Sequence, residues 1–131
     1  MSTHPYLSPE WHAAVVALAA DALPDRPGAS ALLTYKVTGS PSGDLHYLQQ
    51  LVDGRLVRQE PGRAESPDVS FTVTWADAVA LLRGELDPNV LVMQGRMKAD
   101  GNIGRLMAIL PVTTSADYLA LQEQVRAITT V

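Results

Sequence analysis

Apolar and polar residues alternate most regularly at Val69, Phe71 and Val73 against Ser70, Thr72 and Thr74. A period of two puts each set on its own face of a strand, so 69–74 is predicted as a half-buried strand. Residues 31–37 repeat the pattern, with Leu33, Tyr35 and Val37 opposite Thr34 and Lys36. Two more strands are predicted at 45–51 and 55–59, joined at Asp53-Gly54, a two-residue hairpin signal. A last strand, 96–100, sets Met97 and Ala99 against Arg96, Lys98 and Asp100. Gly39 to Asp44 reads as a hairpin connection, and Pro61 to Pro67 as a polar, mobile loop.

The helical period governs the other stretches. Ser8-Pro9 is an N-cap followed by proline at the first helical position, opening 9–22 with Trp11, Val15, Leu18, Ala19 and Ala22 on one stripe. Thr74 to Asp77 reads as a capping box in front of 76–83, which buries Ala78, Val79, Leu81 and Leu82 before Gly84. Asp87-Pro88 starts a short helix through Met93, stopped at Gly95. Asn102 caps 103–110, where Ile103, Leu106, Met107 and Leu110 share a face and Pro111 is expected to end the helix. The final helix, 115–128, carries Tyr118, Leu121, Val125 and Ile128. Hairpins in place of βαβ crossovers predict an α+β fold, a mainly antiparallel five-stranded sheet with helices packed on one face.

Composition narrows the class. The chain has 131 residues, read as a single domain over 1–131, with 47% hydrophobic and 18% charged residues. It has no cysteine, hence no disulfide and no thiolate site. The net charge is −4, and Lys36 and Lys98 are its only lysines. An acidic domain without a basic stripe is a poor partner for nucleic acid or an anionic membrane surface. Its apolar runs fall short of an integral membrane segment. The opening residues, Met1 to Tyr6, lack the pattern of a signal peptide, so a soluble, cytoplasmic protein is expected.

Candidate chemistry is sparse. His4, His12 and His46 have no metal-ligand spacing; only His46, on a strand, keeps interest as a candidate interior group. Gly39-Ser40-Pro41-Ser42-Gly43 is a loop and not a nucleophile elbow. Asp44, Asp53, Asp77, Asp87 and Asp117 sit at caps and turns, where a short acceptor satisfies free N–H groups. No phosphate-binding glycine motif is present. These readings predict no catalytic residue, no metal and no cofactor. The aliphatic and Met-rich helix faces are the informative set, because such helices over a one-sided sheet can open into a tunnel.

One block carries a family resemblance: Leu81-Leu82-Arg83-Gly84-Glu85-Leu86-Asp87-Pro88, then Met93-Gln94-Gly95-Arg96-Met97-Lys98-Ala99-Asp100-Gly101-Asn102-Ile103-Gly104, with the strand 69–74 and Asp77 upstream. It resembles the lipid-binding domain of the sterol carrier protein 2 family over residues 69–110; the N-terminal half agrees only in element order. The resemblance implies a five-stranded sheet, helices on one face and an apolar tunnel between them. It implies a non-catalytic carrier of a sterol, fatty acid or acyl-CoA, without cofactor. Arg96 replaces a usual lysine and keeps the charge. Val92 and Ala99 are smaller than the family's common residues there, and Asp100 replaces a common cation, which weakens the case for acyl-CoA. The tunnel is expected to be lined by Phe71, Leu82, Val92, Met93, Met97, Ile103, Met107, Leu121 and Val125.

Two other classes stay open from the residues. One is a small enzyme acting on an apolar, steroid-like substrate through Asp100, Tyr35 and Tyr47. The other is a protein-interaction module, including a homodimer, with an exposed apolar face.

Overall fold

A computed structural model describes residues 3–131; Met1 and Ser2, part of the stretch read for a leader, lie outside the described residues. A two-residue strand β1 (His4–Pro5) leads into helix α1 (Pro9–Ala22). Strands β2 (Ala31–Ser40), β3 (Gly43–Val52) and β4 (Arg55–Pro61) form a meander, followed by β5 (Val69–Thr74). Helices α2 (Trp75–Leu82) and α3 (Pro88–Met93) precede β6 (Lys98–Gly101). Helices α4 (Ile103–Thr113) and α5 (Ala116–Ala127) follow, and β7 (Thr129–Thr130) closes the chain against β1.

The main sheet runs β4-β3-β2-β5-β6. Pairing is antiparallel except between β2 and β5, which are parallel. The sheet is thus mainly antiparallel, as expected, with one parallel pair. The cause is the loop 62–68, which carries the chain back before β5 begins. Its Ala64 N–H donates to Thr34 Oγ1 at 3.0 Å, so it crosses the sheet face opposite the helices. Asp68 then ties the parallel pair: its N–H donates to Leu32 O at 2.7 Å, and its carboxylate accepts from Leu32 N at 2.8 Å.

The expected caps are in place. Ser8, Thr74, Asp87, Asn102 and Ser115 each accept a backbone N–H at the start of a helix. Two boundaries differ. Arg96 and Met97 are not in a strand, because their N–H groups donate to Leu91 O at 2.9 and 3.2 Å and so finish α3. Pro111 does not end α4, which runs on to Thr113. In a last turn proline removes one intrahelical bond, and hydroxyls hold the end: Thr114 Oγ1 donates to Leu110 O at 2.7 Å and Ser115 Oγ to Val112 O at 2.7 Å.

The core lies between one sheet face and the helices. Leu33, Val37, Val69, Phe71 and Val73 point up from the sheet. Trp11, Val15 and Ala19 of α1, Ala78 of α2, Leu91 of α3, Ile109 and Val112 of α4, and Leu121 and Val125 of α5 come down on them. Helix α1 covers β4, α4 covers β2 and β5, and α5 bridges α1 and α4.

Candidate functional site: an aromatic row with a buried polar string

Register builds the centre of the covered face. Tyr47 of β3, Tyr35 of β2, Phe71 of β5 and Ala99 of β6 are successive partners in one row across four strands. Their side chains share a face because each strand alternates with a period of two. Tyr35 stacks on Tyr47 with ring centroids 4.6 Å apart, and on Phe71 at 4.9 Å. His12 of α1 lies 5.1 Å from Tyr47, and Trp11 continues the run towards Tyr6 and Trp75. Tyr35 and Tyr47 stand mid-sheet and are half-buried.

A hydrogen-bonded string leaves this row. The Tyr35 hydroxyl donates to Gln49 Oε1 at 3.2 Å, and Gln49 Nε2 donates to Gln59 Oε1 at 2.8 Å. Gln59 Nε2 lies 3.0 Å from His12 Nδ1. The two glutamines meet because they are cross-strand partners on β3 and β4. His12, Ser40 and Gln59 are the buried polar residues among those described, and none carries a permanent charge. Burial lowers the His12 pKa to about 4, so the imidazole is neutral and Nδ1 accepts from the Gln59 amide. Burial also pushes the Tyr35 and Tyr47 phenols well up, helped by the neighbouring tyrosines Tyr6 and Tyr118. The site is polar but uncharged.

The second feature is a set of exposed apolar residues on the two helices that flank β6 in sequence. Leu91 is sealed, while its helix shows Val90, Val92 and Met93 outward, Met93 at 86% exposure. Ile103 (64%) and Met107 of α4 are exposed as well. The Arg96 guanidinium grips Asp77 at 2.6 and 3.3 Å and fixes the end of α3 to the first turn of α2. This is the work of the cation in the Gly-Arg-Met-Lys segment.

Residues 17–113 match the model of the SCP-2 sterol transfer family. The chain belongs to this family. Its fold is similar to that of a conserved hypothetical protein of Thermus thermophilus described as a possible sterol carrier protein (17% identity, TM-score 0.70, covering 100% of this chain and 94% of that one). It is also similar to the sterol carrier protein domain 2 of Helicoverpa armigera (27% identity, TM-score 0.53, 76% and 72% covered). A third is palmitated SCP2L2 from Aedes aegypti (20% identity, TM-score 0.55, 76% and 85% covered). No curated protein matches the chain.

Within this SCP-2 fold the nine residues expected to line a tunnel fall into two groups. Phe71, Met97, Leu121 and Val125 are brought together in the core, and Leu82 packs half-buried against it. Val92, Met93, Ile103 and Met107 are exposed. Two open clefts lie elsewhere. One of about 390 Å³ is bordered by Asp21, Asp25, Arg55 and Asp117. The other, about 220 Å³, is bordered by Tyr6, Ser40, Leu45 and Trp75 and so meets the end of the aromatic run. Among the described residues no three His, Asp or Glu side chains are grouped to hold a metal ion, and no helix is long and apolar enough to cross a membrane.

The candidates for catalysis are separated. Asp100 is exposed and pairs with Ser70, one residue out of phase with the Ala99–Phe71 pair, so it faces away from Tyr35 and Tyr47. His46 pairs with Lys36 on that same far face, while His12 is the interior histidine. Sequence reading passed over His12, Gln49 and Gln59. A signal for His12 existed: it lies three and seven residues before Val15 and Ala19, on the buried stripe of α1.

Proposed function

We propose that this chain, as one lipid-binding unit over residues 1–131, holds a sterol, fatty acid or fatty acyl chain without transforming it. The observation that carries this reading is the row on the helix-covered face of the sheet, which ends at the β6 edge: Ala99 of β6 pairs with Phe71, and Phe71 stacks on Tyr35. Exposed apolar residues, Val92 and Met93 before β6 and Ile103 and Met107 after it, flank that edge strand in sequence, and Met97 between them is buried. The row from β6 to β3 crosses three strand spacings, about 14 Å, long enough to shield a sterol body or much of an acyl chain. Leu121 and Val125 of α5 belong to the same core, and Leu82 packs against it. Shielding ten methylenes gains about 8 kcal/mol before ordering costs, so no charged contact is required for binding. The Aedes aegypti relative carries palmitate by its own description, which supports an acyl ligand in this fold.

Native mass spectrometry of the purified chain tests the reading. The expected result is a bound lipid, or uptake of added sterol or fatty acid in one-to-one ratio. A chain that neither retains nor takes up any lipid at tens of micromolar, about −6 to −7 kcal/mol in binding terms, ends the proposal.

A further inference from the structure

We infer, resting on the carrier reading above, that the string from Tyr35 through Gln49 and Gln59 to His12 is the head-group end of the lipid path, and that it selects amphiphiles bearing a neutral hydroxyl, a sterol or long-chain alcohol, over ionised fatty acids. Position is the first argument. The string lies on β2, β3 and β4 beneath α1, whereas Ala99 ends the aromatic row on β6, the far edge strand in the order β4-β3-β2-β5-β6. A molecule entering at the β6 edge reaches the string with one end and leaves its apolar body on Ala99 and Phe71.

Hydrogen-bond capacity is the second. The Tyr35 proton is committed to Gln49, which leaves the Tyr35 oxygen as an acceptor. The Tyr47 hydroxyl has no hydrogen-bond partner among the described residues and can both donate and accept. A ligand hydroxyl can therefore donate to Tyr35 and accept from Tyr47. A carboxylate can only accept, so it can satisfy Tyr47 but not Tyr35.

Charge is the third. No lysine or arginine is buried among the described residues. The cations nearest in sequence to the string are engaged at the surface: Arg55 with Asp25 and Ala20 O, Arg58 with Glu60, and Lys36 with Asp44 on the far face. An anionic head would lose its water with no counter-charge in reach, which is costly. A hydroxyl loses far less and regains it in two hydrogen bonds.

The test is isothermal titration calorimetry of the whole chain with dodecanol and with dodecanoate at neutral pH, two ligands that share a tail. Dodecanol is expected to bind at least about tenfold more tightly. Tyr35→Phe keeps the ring stack and removes the hydroxyl, and is expected to narrow the gap to about threefold, with circular dichroism confirming the fold. Equal binding of both ligands by the wild type, or tighter binding of dodecanoate, overturns head-group selection and leaves the carrier reading standing. A gap that Tyr35→Phe does not change overturns the assignment to this string. Binding of neither ligand overturns the carrier reading, and the inference with it.

Discussion

Tyr35 lies face to face with Tyr47, their ring planes 9° from parallel and their centroids 4.6 Å apart. The pair is a product of register: the two residues are direct partners across β2 and β3, and a slip of one residue would send both rings to the far face. Stacked cross-strand aromatics contribute beyond their buried area. Tyr47→Ala is therefore expected to cost about 2–3 kcal/mol, less than a fully buried aromatic because the ring is half-exposed. Tyr47→Phe, which keeps the stack, should stay within about 1 kcal/mol of wild type. Urea unfolding midpoints measure both; equal losses in the two variants would mean that the hydroxyl and not the stack holds the site.

His12 gives the fold an acid limit. Its pKa in the folded chain is lowered to about 4, from the ordinary 6.5. The unfolded chain therefore takes up a proton first as pH falls. This contribution is fully present above pH 6.5 and is lost as pH falls from 6.5 to 4, by about 3 kcal/mol. His12→Gln, which cannot titrate, should flatten this part of the profile while lowering stability at neutral pH. Unfolding midpoints at pH 7.5 and 4.5 decide it; a wild-type chain whose stability falls no more steeply between these two values than the variant's would contradict a buried neutral imidazole.

The strands, helices and caps were legible in the sequence because each is a local signal. Val69, Phe71 and Val73 alternate, and Ser8, Thr74, Asp87, Asn102 and Ser115 cap where short acceptors precede apolar periods. The parallel β2–β5 pair was not legible, since it depends on how the loop 62–68 crosses the sheet, and composition carries no direction. Phe71 and Met97, expected to line a tunnel, are buried in the core. Met93 and Ile103 share the composition of lining residues but lie on the outer side of their helices, a matter of how α3 and α4 rotate against the sheet. The polar string escaped because Gln49 and Gln59 are ordinary strand residues until β3 and β4 pair, and His12 joins them only when α1 docks.

Gly101 marks a close approach that the Gly-Asn segment requires. Its φ is +130°, and a side-chain carbon there would press into the Asp68 carbonyl oxygen. That same oxygen accepts from Asn102 N at 2.7 Å, next to the cap of α4. Gly101→Ala is thus strained in backbone and in space, and should cost at least about 2 kcal/mol. Thermal unfolding, with hydrogen exchange at β6, checks it. A variant as stable as wild type would show that the β5–β6 edge can shift without cost.

Ala99 is the position at which the lipid path can be closed with least damage elsewhere. It pairs with Phe71, is half-buried, and ends the aromatic row at the β6 edge. A phenylalanine suits a strand and would extend the row into the space a ligand needs. Ala99→Phe is expected to weaken sterol or acyl binding by at least about tenfold, about 1.4 kcal/mol, with the unfolding temperature little changed. Val92→Trp, on the exposed side of α3, adds bulk outside the row and should change affinity by less than about threefold. Asp100→Asn, on the far face, should leave binding unaltered. Fluorescent sterol and fatty-acid titrations of the three variants separate the outcomes. If Ala99→Phe binds as wild type does while its fold is intact, the ligand does not lie along this row.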